Sequence, residues 1–199
     1  MVWLSFFTAM TAGLGLFALG DNELSGGYLA ASAQPIGRDA EADPIFRTQS
    51  PLDSDRWRSI VIHDLGQPVG DAGSVHRLHL SYGYQGLGYH FLIGNGNGLG
   101  DGIIHVGYRW DRQLPGAHVA GSAGAEHNQH SIGICMIGTG DRRAFTERQM
   151  QSLTALVRRL QQEMGIPAES VYLHRDLAPG VTSPGRFFPA ALLREQLLD

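Results

Sequence analysis

The sequence predicts one α/β domain, a mixed central β-sheet flanked by helices. Three observations predict it. Short apolar runs bounded by Gly, Asn and Asp alternate with stretches of helical spacing, the order expected of strands and helices packed in layers. A glycine-rich stretch, "GNGNGLGDG", lies between two apolar runs and reads as a hairpin, so one strand pair is antiparallel. A long amphipathic segment opens on Thr146-Glu147-Arg148-Gln149, a capping box in which the Thr hydroxyl and the Gln side chain each satisfy an orphan backbone N–H.

Taken in order, the first stretch is "MVWLSFFTAMTAGLGLFALG", residues 1–20, with no charged side chain before Asp21. Its apolar run is long for the core of a signal peptide and short for a membrane span. Ala18-Leu19-Gly20 offers a small-x-small cleavage site, while the absence of Lys or Arg departs from the usual signal. The segment reads as a signal peptide or a membrane anchor, with a buried N-terminal helix as the bland alternative. Either leading reading puts the remainder outside the cytoplasm, in the periplasm, cell envelope or medium. Residues 21–55 are rich in Gly, Ser, Ala, Pro and acids and read as an acidic flexible linker. The domain is expected over 56–199.

Within it, "RSIVIHDL" is a buried strand over Ser59–His63, and "AGSVHRLHLSYG" a short helix stopped by Gly83. "GYHFLIG" and "IIHVG" are the arms of the hairpin. "SIGICMIG" is a central strand over Ser131–Ile137. Met150, Leu153, Leu156, Val157, Leu160 and Met164 keep helical spacing until Gly165 and Pro167 end the helix. "SVYLH" is a short strand and "PAALLREQLL" a last helix. Cys135, the only cysteine, lies in an apolar run and reads as a small buried hydrophobe; no internal disulfide can form.

Composition removes several functions. The net charge is −4, which gives no electrostatic case for nucleic acid. All 15 basic residues are Arg, so no lysine can act as base or nucleophile. "GNGNGLGDG" has the wrong register for a dinucleotide loop and leads into a strand, leaving no helix N-terminus for a phosphate. "AGSAG" around Ser122 is one residue short of a nucleophile elbow.

Nine histidines remain. His63 closes "IVIH" and His174 closes "VYLH", so each imidazole leaves a strand at its C-terminal edge. If the strands are neighbours, both rings face one cleft. Zinc accepts neutral imidazole, and a catalytic zinc takes three protein ligands and a water.

Six pieces in sequence, over residues 57 to about 190, carry a resemblance: "IVIHD", "LHLSYGYQGLGYHFLIG", "PGAHVAG", "HNQHSIGICMIG", "TERQMQSLTALVRRL" and "LHRDLAPGVTSPG". Together they resemble the zinc-dependent N-acetylmuramoyl-L-alanine amidases and the related peptidoglycan recognition proteins. The resemblance implies Zn2+ held by His63 and His174, with Ser183 at the third ligand's place, and Tyr89 as the catalytic phenol beside the metal. It implies cleavage of the amide between N-acetylmuramic acid and the L-alanine of the stem peptide. The partner it implies is peptidoglycan or a muropeptide, bound by a monomer that meets a membrane only through its N-terminal segment. His118 in the "GAH" loop, Asn128, Arg109, Trp110 and Arg186 are the expected substrate contacts, the arginines because guanidinium forks suit carboxylates. A packed aromatic is the competing reading of Tyr89.

Three departures from the family pattern bear on this. Ser183 stands where the family has Cys or Asp before Pro-Gly, and a neutral hydroxyl is a weak zinc ligand. Val181 replaces a Lys or Thr that assists the oxyanion. Asp64 follows the first His where many relatives have a second one. Asp64, turned inward by a bulge, or His118 is expected to complete the metal shell if zinc is retained. The alternative is a non-catalytic peptidoglycan-binding protein, since some recognition members carry Ser at this place and do not hydrolyse.

Overall fold

Alternation along two strands decides which way the sheet faces. β1 (Ser59–Asp64) and β4 (Ser131–Met136) run parallel, with Ser59 opposite Ser131 and His63 opposite Cys135. Ile60, Ile62, Ile132, Ile134 and Met136 point to one face and join the main apolar cluster. Ser59, His63, Ser131, Gly133 and Cys135 occupy the alternate positions and point to the other. The computed structural model describes residues 44–122 and 124–198. The expected signal or anchor, 1–20, and most of the expected linker lie outside the described residues. Among the described residues no helix is long and apolar enough to cross a membrane.

The sheet has five strands in the order β3-β2-β4-β1-β5, where β2 is Phe91–Ile93, β3 Ile104–Val106 and β5 Val171–Leu173. β2 and β3 form the antiparallel hairpin, and the other pairings are parallel. The mixed sheet with flanking helices is therefore the fold the sequence predicts.

The apolar face is covered by α4 (Glu147–Met164). Its buried Leu153, Leu156, Val157, Leu160 and Met164 form one stripe, each worth about 1.5–3 kcal/mol of transfer free energy. The capping box is present: Thr146 accepts from the Gln149 N–H, and Gln149 accepts from the Thr146 N–H. The same Gln149 amide donates to the carbonyls of Ile93 and Ile137, tying the start of α4 to the ends of β2 and β4. Gly165 ends the helix in the left-handed region, at φ 66°, where only glycine sits without strain.

α1 (Ala72–Ser81) lies on the opposite face, capped by Asp71, with Val75 packed on Leu87, Leu92, Cys135 and Ile137. Cys135 is buried, as a small hydrophobe should be. Three short helices have no signature in the sequence: α2 (Tyr108–Asp111), α3 (Gly124–His130) and α5 (His174–Leu177). Each is shorter than the window in which apolar spacing can show. The last helix, α6, covers only Ala190–Arg194, because the tail beyond it bonds to α4 side chains: Arg158 donates to the Gln196 carbonyl and Gln161 to that of Leu198.

Packing also reaches back into the stretch expected to be linker. The Trp110 indole N–H donates to the Ile45 carbonyl, the Gln49 N–H to that of Asp111, and Phe46 sits edge-on against Trp110. From Pro44 onward the chain is therefore anchored to the domain.

Candidate functional site

β1 and β5 are neighbours, so the two imidazoles at their ends converge. His63 is the fifth residue of β1, and His174, the first residue of α5, follows β5 directly. Their ring centroids lie 4.3 Å apart. Tyr89, just ahead of β2, brings its ring to 5.2 Å from that of His63. The three residues line or back a groove of about 260 Å3, whose walls include Tyr82, Tyr84, Tyr89, His118 and His174.

His118 is the residue that orients His63. It is buried, and its ring lies flat above β4 because residue 133 is glycine: a Cβ there would fall 2.5 Å from His118 Cδ2. His118 Nε2 faces the Ser131 carbonyl at 3.4 Å, which makes that nitrogen the N–H donor. Its Nδ1 then accepts from the His63 Nε2–H at 3.0 Å. This leaves the lone pair of His63 on Nδ1, so the tautomer of His63 is set by a neighbour, as in histidines that present one nitrogen to a metal. The loop carrying His118 is held by Asn128, whose Oδ1 accepts from the His118 and Val119 N–H groups and whose Nδ2 donates to the Val119 carbonyl.

Burial sets the electrostatics. His63 is held well below its ordinary pKa by desolvation and then by its neighbours His118 and His174; His118 is lowered by desolvation and by His90. Desolvation also lowers His174, against the attraction of the Asp64 carboxylate. The rings are therefore neutral, the form that can donate a lone pair. Tyr89 is pushed well above its ordinary pKa, by burial first and by Cys135 and Asp64 after it, so its phenol stays protonated and can donate a hydrogen bond. His174 Nε2 is buried without a hydrogen-bond partner.

Ser183 completes the picture differently from a metal ligand. Its hydroxyl oxygen accepts from the Asp64 N–H at 2.9 Å, joining the end of β1 to the closing loop across 119 residues of chain. Asp64 Oδ2 in turn accepts from the Gly140 N–H. The loop is pinned further by Asp141, whose carboxylate accepts from the Thr182 hydroxyl and the Arg186 N–H. At the place the resemblance gives to zinc, the available donors are thus two imidazoles and one neutral hydroxyl. A catalytic zinc takes three ligands from imidazole, thiolate and carboxylate, and this set is one short. Among the described residues no three His, Cys, Asp or Glu side chains are arranged to hold one ion. His118, expected as a substitute ligand or a substrate contact, has both ring nitrogens engaged with His63 and Ser131.

Several expected substrate contacts sit elsewhere. Trp110 is fully buried against Phe91, Trp57 and Phe46. Arg109 is buried and spends its fork on the carbonyls of Leu87 and Pro115. Both belong to the interior, because α2 turns inward a segment that reads in the sequence as surface. Asn128 braces a loop. Arg186 is exposed, folded onto the Asp141 carbonyl and the Phe187 ring. The sequence reading also missed Tyr82 and Tyr84, exposed aromatics at the groove; their position in "SYGYQG" beside a helix-ending glycine was the available signal.

A sheet with parallel strands at its centre, paired imidazoles at the C-terminal strand ends and a phenol against them define a peptidoglycan-amidase or peptidoglycan-recognition class of α/β domain. The chain belongs to the N-acetylmuramoyl-L-alanine amidase family, which matches residues 53–186. Among solved structures it is similar to the N-acetylmuramoyl-L-alanine amidase LysC of Clostridium intestinale URNW, with 27% identity, a TM-score of 0.61, and coverage of 74% of this chain and 89% of that one. It is also similar to the ectodomain complex of peptidoglycan recognition proteins LCa and LCx bound to tracheal cytotoxin, with 27% identity, a TM-score of 0.55, and coverage of 69% and 81%. The endolysin of Escherichia phage T7 is 33% identical over 88 residues, which are 42% of this chain and 50% of the endolysin. The chain thus spans half the length of that relative.

Proposed function

We propose that this chain is a peptidoglycan-binding domain that holds a muropeptide in the groove beside His174 and Tyr89, outside the cytoplasm, without zinc-dependent hydrolysis. One observation carries the reading: the residue at the third ligand's place, Ser183, is a neutral hydroxyl already bonded to the Asp64 N–H. Val181, at the position the resemblance gives to an oxyanion donor, has no donor to offer. Losing one ligand of three removes much of the affinity on which a metal site depends. What remains is a neutral, aromatic-walled groove with a protonated phenol. Such a surface suits sugar faces and amides, and a recognition relative of the same fold is bound to tracheal cytotoxin.

A second reading, the zinc amidase, is favoured by the buried, unpartnered His174 Nε2 and by the fixed tautomer of His63, which leave two lone pairs available. Bound zinc would supply an activated water and polarise the scissile carbonyl. The endolysin and LysC relatives support it.

The two readings separate in the full-length protein and its Ser183→Cys variant. The binder retains itself on insoluble peptidoglycan, carries well under one zinc per chain and releases no stem peptide; Ser183→Cys then gains zinc to near one per chain. A parent with one zinc per chain that frees stem peptides establishes the amidase. A parent that neither sediments with peptidoglycan nor cleaves it sinks both.

A further inference from the structure

The turn between β2 and β3, "GNGNGLGDG", holds three dipeptides in which glycine follows Asn or Asp: Asn95-Gly96, Asn97-Gly98 and Asp101-Gly102. Such a pair can close on itself, because glycine leaves its backbone nitrogen unshielded beside the preceding side-chain carbonyl. Two of the three are restrained. At Asn95, Oδ1 accepts from the Asn97 N–H, Nδ2 donates to the Pro68 carbonyl, and the Gly96 N–H donates to the Leu99 carbonyl. At Asp101, Oδ1 accepts from the Thr146 hydroxyl, and the Gly102 N–H donates to the Gly94 carbonyl. Asn97-Gly98 differs on both counts. Both residues are exposed, and among the described residues neither the Asn97 side chain nor the Gly98 N–H makes a hydrogen bond.

We propose that Asn97 is a self-modification site, converted by water to a mixture of aspartate and isoaspartate. The Gly98 backbone nitrogen bonds to Asn97 Cγ, the Cγ–Nδ2 bond breaks, and the Gly98 proton leaves with Nδ2 as ammonia. The product is a cyclic imide. Water then opens the imide at either carbonyl, and nothing is oxidised or reduced. Opening at Cγ gives aspartate. Opening at the backbone carbonyl gives isoaspartate, in which the chain runs through Cβ and Cγ and the old carbonyl becomes a free carboxylate. The isoaspartate is the disruptive product. The Gly70 N–H donates to the Asn97 carbonyl and the Leu99 N–H to that of Gly70, each at 3.0 Å, and a Cβ on Gly98 would fall 2.5 Å from the Gly70 oxygen. Packing this close has no room for an added backbone carbon. Gly70 belongs to the segment between β1 and α1 whose Leu65 and Gln67 wall the groove, so the lesion loosens that wall. The effect on ligand binding rests on the binding reading above, while the chemistry at Asn97 does not.

The test is incubation of the full-length protein in mildly alkaline buffer, folded and unfolded in urea, followed by trypsin and mass spectrometry with electron-transfer fragmentation. The chain has no Lys, and no Arg between Arg77 and Arg109, so all three dipeptides arrive in one peptide. In the folded protein Asn97 is expected to convert about tenfold faster than Asn95, whose glycine nitrogen must first give up a hydrogen bond. In urea the two convert at the same rate. Equal rates in the folded protein, or a faster Asn95, overturn the assignment, as does a folded Asn97 that stays intact while the unfolded chain reacts. The isoaspartate form, separated by ion exchange, is expected to bind soluble muropeptide about tenfold more weakly than fresh protein, the equivalent of about one backbone hydrogen bond. Asn97→Gln protein kept under the same conditions retains its affinity. Undiminished binding by the isoaspartate form overturns the link to the groove alone. Fresh protein that binds no muropeptide overturns the binding reading and leaves the modification at Asn97 standing.

Discussion

The two faces of one sheet do different work. On the α4 face, β1 and β4 present Ile60, Ile62, Ile132, Ile134 and Met136, all with no exposed surface, to a helix stripe of Leu and Val. On the α1 face the same strands present Ser59, His63, Ser131, Gly133 and Cys135, and the apolar cluster there has only five fully buried members. A strand alternates its side chains, so stability can be written on even positions and chemistry on odd ones without conflict. The polar face is tolerated because its groups are satisfied: Ser59 bonds Ser131, His127 bonds Ser131, and His63 bonds His118.

Substitutions can break that division or sharpen it. The largest effect belongs to the apolar face. Ile134→Ala is expected to cost about 4 kcal/mol in urea unfolding, from lost transfer and the cavity left behind, with muropeptide affinity of the folded fraction unchanged. His63→Ala should show the opposite pattern, and a large stability loss without a binding loss would erase the contrast.

Gly133→Ala tests the polar face. The added methyl would lie 2.5 Å from His118 Cδ2, so His118 must move and its hold on His63 loosens. The expected cost is about 2 kcal/mol of stability together with weaker muropeptide binding. Wild-type affinity in this variant would show that His118 does not govern the groove.

The smallest effect of any single group is a pH dependence on the histidine-bearing face. His90 is fully buried, and burial lowers its pKa to about 3. Below about pH 6.5 the unfolded chain protonates this ring and the folded protein does not, so stability falls as pH falls. Between pH 7.5 and 5.5 His90 alone should cost about 1.4 kcal/mol, and His63 and His118, shifted the same way, add to it. Above pH 7.5 these groups contribute no slope. A flat profile from 7.5 to 5.5 contradicts their burial as neutral rings.

Those contrasts also show what the sequence could reveal. The α4 stripe and its capping box are local patterns, and both were legible before any coordinates. The convergence of His63 and His174 was legible because each imidazole ends an apolar run, and β1 and β5 are adjacent. Ser183 drew attention because a hydroxyl is the wrong chemistry for the place, yet its bond to the Asp64 backbone had no signature, being made between segments distant in sequence. Arg109 and Trp110 misled for a similar reason. "YRW" looks like a polar surface turn, and only the direction of a four-residue helix carries it inside.

The link from Ser183 to Asp64 spans 119 residues and sets a timetable for the molecule. A ribosome releases β1 early, long before the loop that must fasten to its end. Until that last stretch emerges, β1 lacks its outer neighbour β5 and the cleft has one wall missing. The cleft is therefore assembled only once the segment through Ser183 has left the ribosome, although its first strand was made long before.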